Sequence, residues 1–364
     1  MTIYETYMQR CLQLAALGGG QVAPNPMVGS VLVYNDRIIG EGYHRVYGQA
    51  HAEVNCIASV RPEDRHLVPD STIYVSLEPC AHYGKTPPCA DLIISQGIRK
   101  VVVGCRDPFE AVDGKGIEKL RNAGIEVMTG VLEKECHWIN RRFFTYHTQH
   151  KPYVLLKWAQ TADGKIAGGT NERLLISNAY SNRLVHRWRS EEMGILVGTR
   201  TAQLDNPSLS NRLWHGPQPV KLLLDMDLKL PLTARLFQDD ATVVVFNTQK
   251  HTLEPGTVFP LQQTGTYYYQ LSKTEPLIPQ LLHAGYQLRL QSILVEGGAN
   301  LLQQFIDSNS ADEVHIITNT GLFAGEGLAA PALKGFTAVQ QQTLDKDQLH
   351  YFVHQHHPYF PYHS

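Results

Sequence analysis

The chain has 364 residues, 43% of them hydrophobic and 18% charged, which is enough apolar material for two cores and ordinary for a globular protein. Its net charge is −2 and no Lys/Arg run exceeds two residues, so the basic face of a nucleic-acid partner is not expected. No apolar stretch approaches the ~18 residues of a membrane span, and the start lacks a signal-peptide pattern, so a cytoplasmic chain without membrane partners is the expectation. Its 6 cysteines then read as thiols or metal ligands, not disulfides.

Tyr4, Tyr7, Met8, Cys11, Leu12 and Ala15 fall at helical intervals and stop at a run of glycines. "MVGSVLVYNDRIIGEGY" reads as a hairpin turning at Asn35-Asp36. A short helix ("AEVNCIASV"), a strand ("STIYVSLE") and a helix closed by Gly97 follow. Then come the strand "KVVVGC", the helix "GIEKLRNAG", the strand "IEVMTG" and a helix from about Val131 to Tyr146. The alternation predicts an α/β domain over residues 1–147. A second α/β domain is expected over 148–364. Its strands are "YVLLKWAQ", "MGILVG", "VKLLLD", "ATVVVF", "TYYYQL", "QSILVEGG" and "EVHIIT", with helices over Asn178–Glu192 and Asn300–Ser308. The His-rich, aromatic tail reads as a terminal strand with a loose end. Cys11, Cys56, Cys105 and Cys136 have no neighbouring partner residue and read as packing residues.

Two stretches carry chemistry, "GQAHAEVNCIASV" and "SLEPCAHYGKTPPCADLI". His51, Cys80 and Cys89 are three candidate metal ligands. A continuous helix would hold the two cysteines ~13 Å apart, too far for two thiolates that must each lie ~2.3 Å from one zinc. Gly84, Pro87 and Pro88 forbid that helix, so a loop brings the cysteines together. His51 and Glu53, two apart, can converge only if they open a helix. Three ligands leave a fourth position for water, and Glu53 is then the proton shuttle between that water and a leaving amine. This is the H-x-E…P-C…C pattern of hydrolytic deaminases, with the usual C-x-x-C widened to eight intervening residues. His82 could close the site as a fourth ligand, or contact substrate from the loop.

"APNPMVGSVLVYNDRIIGEGYHRVYGQAHAEVNCI" together with "YVSLEPCAHYGKTPPCADLI" resembles the bifunctional riboflavin-biosynthesis deaminase/reductase family. The likeness spans nearly the whole chain and is sparser after residue 147. It implies an N-terminal cytidine-deaminase-like three-layer domain that uses one zinc ion and acts on a phosphoribosylamino-diaminopyrimidinone. Asn25, His44, His82 and Lys85 match the family's deaminase substrate pocket. Asn25 offers a paired donor and acceptor to a pyrimidine edge, and Lys85 a charge for phosphate.

The second domain has no G-x-G-x-x-G, so a Rossmann cofactor site is not expected. It does have "QSILVEGGANLLQQFID", a strand, a glycine pair and a helix whose N-terminus suits phosphate. "LKWAQTADGKIA", "VGTRTAQLDNPSL" and "LVEGGANLL" look like the family's reductase domain, which implies a dihydrofolate-reductase-like fold, NADPH and reduction of the ribose to ribityl. On that resemblance Ala159, Leu175, Thr201, Asp205 and the run Gly298, Ala299, Asn300, Leu301, Leu302, Gln303 and Gln304 fall on the cofactor side. Arg173, Arg189, Leu209, Arg212 and Glu296 fall on the substrate side. Arg189 and Arg212 also suit a phosphate by their guanidinium forks, and Arg200 could read the extra phosphate of NADPH. Asp205 and Glu296 are candidates for protonating the opened sugar. Many family members carry Ser-x-Trp-Ile where this chain has Arg173-Leu174-Leu175-Ile176, which puts contacts there in question. The resemblance also implies a homodimer through the reductase domain. Competing readings are a deaminase of free or tRNA-borne bases with a non-catalytic second domain, and a structural-zinc protein or degenerate reductase serving as a dimerisation scaffold.

Overall fold

The computed structural model describes residues 1–83, 87–110, 112–169, 174–254, 256–257 and 264–360. The chain divides into two compact units, Met1–Gln149 with Pro358–Ser364, and His150–His357. Among the described residues no helix is long and apolar enough to cross a membrane.

The first unit runs α1 (Ile3–Ala16), β1 (Gly29–Tyr34), β2 (Arg37–Tyr43), α2 (Ala52–Ala58), β3 (Thr72–Leu77), α3 (Cys89–Ser95), β4 (Lys100–Cys105), α4 (Lys115–Asn122), β5 (Glu126–Thr129), α5 (Glu133–Ile139) and α6 (Arg141–Gln149). A capping box starts α1: Glu5 N–H donates to Thr2 Oγ1 and Thr2 N–H to Glu5 Oε2. The expected hairpin turns through Asn35 and Asp36, both at positive φ as a two-residue connection requires. Strand order is β2-β1-β3-β4-β5, antiparallel through β1 and parallel from β3 to β5. Alternating side chains feed two cores, which makes three layers. Leu32, Ile73, Val75, Val101 and Val103 pack with Cys56 and Ile57 of α2, Ile93 of α3 and Leu120 of α4. Val31, Val33, Tyr74 and Val102 pack on the other face with Met8 and Cys11 of α1, Cys136 of α5 and Phe144 of α6. Cys11, Cys56, Cys105 and Cys136 are all buried and free.

The helix expected from Val131 to Tyr146 is broken in two at Asn140. Its side-chain amide forms a reciprocal pair with the Met27 backbone, accepting from the N–H at 2.7 Å and donating to the carbonyl at 2.8 Å. That contact from a distant loop outweighs the local helical period.

The second unit runs β6 (Tyr153–Thr161), β7 (Lys165–Gly168), α7 (Ala179–Glu191), β8 (Gly194–Gly198), α8 (Thr199–Asp205), β9 (Val220–Leu224), β10 (Val243–Asn247), β11 (Thr266–Gln270), α9 (Leu277–Gln287), β12 (Ser292–Gly297), α10 (Ala299–Asp307), β13 (Glu313–Asn319), β14 (Gly327–Ala329), β15 (Phe336–Leu344) and β16 (Asp347–His354). Nine strands form one sheet in the order β11-β10-β9-β8-β12-β6-β13-β16-β15, and β7 pairs with β14 separately. The sheet is parallel from β11 to β13 and closes with the antiparallel pair β16 and β15. Val154, Leu156, Ile293 and Val295 face α9 and α10, while Leu155 and Leu294 face α7 and α8. The tail's first half is a strand, as expected. Tyr359, beyond it, belongs to the first unit, where its hydroxyl lies 2.7 Å from Thr148 Oγ1.

Gly42 sets how closely α2 sits on β2: a Cβ there would lie 2.2 Å from Cys56 N and 2.6 Å from Ala52 O. We expect Gly42→Ala to lower stability by ~1–3 kcal/mol and to loosen the helix start that carries His51. A denaturation midpoint equal to that of the wild type would contradict this packing.

Candidate metal centre and reductive groove

Two short helices begin at the same place. His51 is the N-cap of α2, and Cys89 is the first residue of α3 behind Pro88. Cys80 follows the end of β3 and turns back onto α3: its Sγ accepts from Cys89 N–H at 3.3 Å and its carbonyl from Ala90 N–H at 3.1 Å. His51 Nδ1 lies 3.6 Å from Cys80 Sγ and 3.4 Å from Cys89 Sγ. In tetrahedral zinc the edge between an imidazole nitrogen and a thiolate sulfur is about 3.6 Å, so the donor set fits that ion without rearrangement. All three ligand atoms lie within 4.8 Å of one another, and among the described residues no other His, Cys, Asp or Glu joins such a cluster. His82 is exposed, its ring meeting Phe109 edge-on at 6.1 Å, so it does not close the set.

The Cys80 thiol is held well below its usual range, first by the hydrogen bond from Cys89 and then by His51 and the Cys89 N–H, against the effect of burial. Cys89 is pushed up by the same bond and by burial. Glu53, in the first turn of α2, is only 3% exposed, and burial lifts its carboxyl to about 7.

The loop that presents Cys80 is held by Glu78. Its buried carboxylate accepts four backbone N–H groups, from Asp107 (3.3 Å), Gly114 (2.9 Å), Gly116 (2.9 Å) and Ile117 (3.1 Å). Gly116 has to be glycine, since a Cβ would stand 1.9 Å from Pro79 O. Asp107 is buried beside them, its carboxyl raised to about 7 by desolvation.

In the second unit a groove of about 600 Å³ opens at the carboxyl ends of β8, β9 and β12, the end of a parallel sheet where ligands bind. Thr201 of α8, Gly298, and Asn300, Leu301 and Gln304 of α10 line it. Gly298 caps α10 at φ 84°, which only glycine adopts freely, and a Cβ on Gly297 would meet Thr201 Cγ2 at 2.8 Å. Thus the glycine pair permits both the turn and the close approach of α8.

Beside the groove's β12 edge, Arg189 of α7 donates from Nε and Nη2 to the two Glu296 oxygens, each at 2.7 Å, with side-chain exposures of 12% and 8%. Burial pushes the Glu296 carboxyl up, but Arg189 and then Lys157 outweigh it and leave it at about 2.

Residues 1–105 match the cytidine and deoxycytidylate deaminase zinc-binding region, and residues 152–348 match the RibD C-terminal domain. Riboflavin biosynthesis protein RibD of Aquifex aeolicus is 38% identical, over 90% of this chain and 89% of its own. That of Bacillus amyloliquefaciens is 37% identical over 92% and 90%. The chain belongs to the RibD family. A Thermotoga maritima diaminohydroxyphosphoribosylaminopyrimidine deaminase/5-amino-6-(5-phosphoribosylamino)uracil reductase is 37% identical with a TM-score of 0.84, covering 96% of this chain and 98% of that one. Acinetobacter baumannii RibD is 31% identical with a TM-score of 0.85 and the same coverage. The fold is therefore a cytidine-deaminase-like unit and a dihydrofolate-reductase-like unit, and the function is riboflavin biosynthesis with deaminase and reductase activities. A non-catalytic second domain is not favoured.

Other site residues have their polar atoms already engaged, are buried, or lie away from the groove. His44 is buried with both ring nitrogens used inside the protein, Nδ1 with Ala50 O at 3.1 Å and Nε2 with Asn25 Nδ2 at 3.2 Å, so it offers a substrate no polar atom. Arg189 has its fork on Glu296 and its Nη1 on Ser210 O at 3.1 Å, so it is not a free phosphate fork. Glu296 is held as an ionised carboxylate by Arg189, which makes it an acceptor in this structure. The Leu209 side chain is in the core and its backbone is at φ 53°, leaving only main-chain atoms for a contact. Within the run 298–304, helical period turns Leu302 into the core and Gln303 onto Ala332 N and Asp307, and Ala299 does not line the groove. Ala159 packs against the α7-side core, Leu175 is 74% exposed and Asp205 ends α8; none of the three lines the groove. Arg212 is exposed, and its N–H donates to His186 Nδ1 at 2.9 Å. Lys85 and Arg173 lie outside the described residues.

Sequence reasoning missed Thr199, Asp225, Asp227 and Lys229 in the groove, Lys157 near Glu296, and Glu78 and Asp107 in the first unit. The charged residues Asp225, Asp227 and Lys229 at and just after the end of "VKLLLD" were the available signal for three of the first group.

Cys89→Ser should lower zinc affinity by at least ~100-fold, read as zinc per chain after dialysis against a chelator. Full metal retention would mean a different ligand set. Arg189→Ala should destabilise the second unit by ~3–5 kcal/mol in denaturant melts, because Glu296 stays buried without its partner. A loss under ~1 kcal/mol would show that solvent reaches the carboxylate.

Proposed function

We propose that the first unit hydrolyses the 2-amino group of 2,5-diamino-6-(5-phosphoribosylamino)pyrimidin-4(3H)-one, and that the second reduces the ribose of the product to ribityl with NADPH. Family membership supports the pair of activities, and the observation that carries the first reading is the three-ligand cluster with one buried carboxylate beside it. His51, Cys80 and Cys89 hold zinc. Zinc, when bound, supplies a water acidified to a pKa of ~7. Glu53 takes the proton from the attacking water and returns it to the departing amine, a role that suits a carboxyl lifted by burial. Asn25 meets the pyrimidine edge, His82 contacts the substrate from the loop side, and Lys85, outside the described residues, offers a charge for its phosphate.

In the second unit the start of α10 and the neighbouring Thr201 suit a cofactor's phosphates, and the groove's volume suits a dinucleotide. NADPH, when bound, supplies the hydride. Among the described residues, Arg200 is the groove cation available to an extra phosphate, since Lys229 is paired with Asp227 at 2.8 Å. Arg212, whose guanidinium meets no acceptor among the described residues, takes the substrate phosphate. Glu296 accepts from sugar hydroxyls, and Arg189 keeps it ionised and aimed. The chain acts as a homodimer through its reductase unit, a reading supported by the resemblance alone.

Mass analysis of products from the purified protein tests both halves. We expect the deaminated compound alone without NADPH and the ribityl compound only with it. Deamination that NADPH never extends would remove the reductase reading. Glu53→Gln should retain zinc while deamination falls roughly 100- to 10,000-fold; loss of zinc together with activity would recast Glu53 as a ligand.

A further inference from the structure

The hydrogen bonds of His44 determine which end of the Asn25 amide faces outward. Ala50 carbonyl oxygen can only accept, so His44 Nδ1, 3.1 Å away, carries a proton. Asn55 holds that carbonyl in place: its Nδ2 donates to Ala50 O at 3.3 Å and to Tyr43 O at 2.9 Å. The other ring nitrogen, Nε2, meets the Asn25 amide at 3.2 Å. The ring is buried to 2% exposure, and the Asn25 atom that faces Nε2 is the amide nitrogen, which can only donate. Nε2 is therefore the acceptor, the ring is neutral, and Asn25 presents N–H to it. Asn25 Oδ1 is then turned away from His44, and no donor among the described residues meets it.

We propose that His44 is a positioning residue: as the Nδ1–H tautomer it takes an amide N–H of Asn25 and leaves Asn25 Oδ1 as a fixed acceptor for a ring N–H beside the scissile amine. The inference rests on the deaminase reading above. The carbon that loses its amine in a 2-amino-4-oxopyrimidine is flanked by one ring N–H and one unprotonated ring nitrogen. The amine-bearing carbon of cytosine is flanked by an unprotonated nitrogen and a C–H. A fixed acceptor satisfies the first ring and faces a C–H in the second. His44 thereby contributes to choosing the ring type without touching the substrate.

Zinc-loaded protein labelled with ¹⁵N-histidine tests the tautomer directly. The two-bond proton–nitrogen spectrum at neutral pH should show His44, assigned by its disappearance in His44→Gln, protonated at Nδ1 alone. An Nε2–H tautomer or an imidazolium overturns the proposal. Kinetics on the diaminopyrimidinone test the consequence. His44→Asn keeps a donor for Ala50 and removes the acceptor for Asn25, so KM should rise about 10-fold or more with kcat nearly unchanged and zinc retained. His44→Gln places an oxygen near the position of Nε2 and should recover most of that loss. Equal losses in the two variants, or a loss in kcat accompanied by zinc, overturn the positioning role. A wild-type protein inert on this substrate would instead remove the deaminase reading, and the spectrum would then decide His44 alone.

Discussion

Both reactive regions depend on backbone N–H groups that helix starts leave without partners. In the first unit α2 and α3 begin beside the end of β3, so His51 enters as a cap, Cys89 as a first-turn residue, and Cys80 lies against the α3 N-terminus. A thiolate there gains a hydrogen bond and the favourable end of a helix dipole. In the second unit α8 and α10 begin at the ends of β8 and β12, and the groove opens between their first turns. The sheet order of each unit sets which helix starts meet.

Buried carboxylates do the holding in both places, by different means. Glu78 is satisfied by four main-chain N–H groups and locks the strand end before Cys80 to the start of α4. Glu296 is satisfied by a two-pronged Arg189 contact and keeps its charge in the interior. A buried anion without such partners would shed its charge or unfold its surroundings. Glu53, with less compensation, moves the other way, its carboxyl lifted to about 7 by burial.

Much of this was legible in the residues. The proline and glycine positions between Cys80 and Cys89 exclude one helix through both, and the H-x-E pair requires a helix start; α3 begins only at Cys89 and α2 just after His51. The alternating strands of both units were readable because each is apolar and bounded by turn residues. What escaped were features set by distant partners. Asn140 breaks a helix because of Met27, and nothing near Asn140 announces it. His44 and Arg189 have suitable chemistry for substrate, but Ala50 with Asn25 and Glu296 claim their polar atoms first. The exposed strand β15, with its glutamines, lacks the apolar signal that marks a strand.

X-ray absorption at the zinc edge of the purified protein tests the central claim, an open three-ligand centre, most directly. The account predicts two sulfurs at ~2.3 Å, one imidazole nitrogen and one further light atom from solvent at ~2.0–2.1 Å. A shell closed by a second imidazole, or one without two sulfurs, would contradict it.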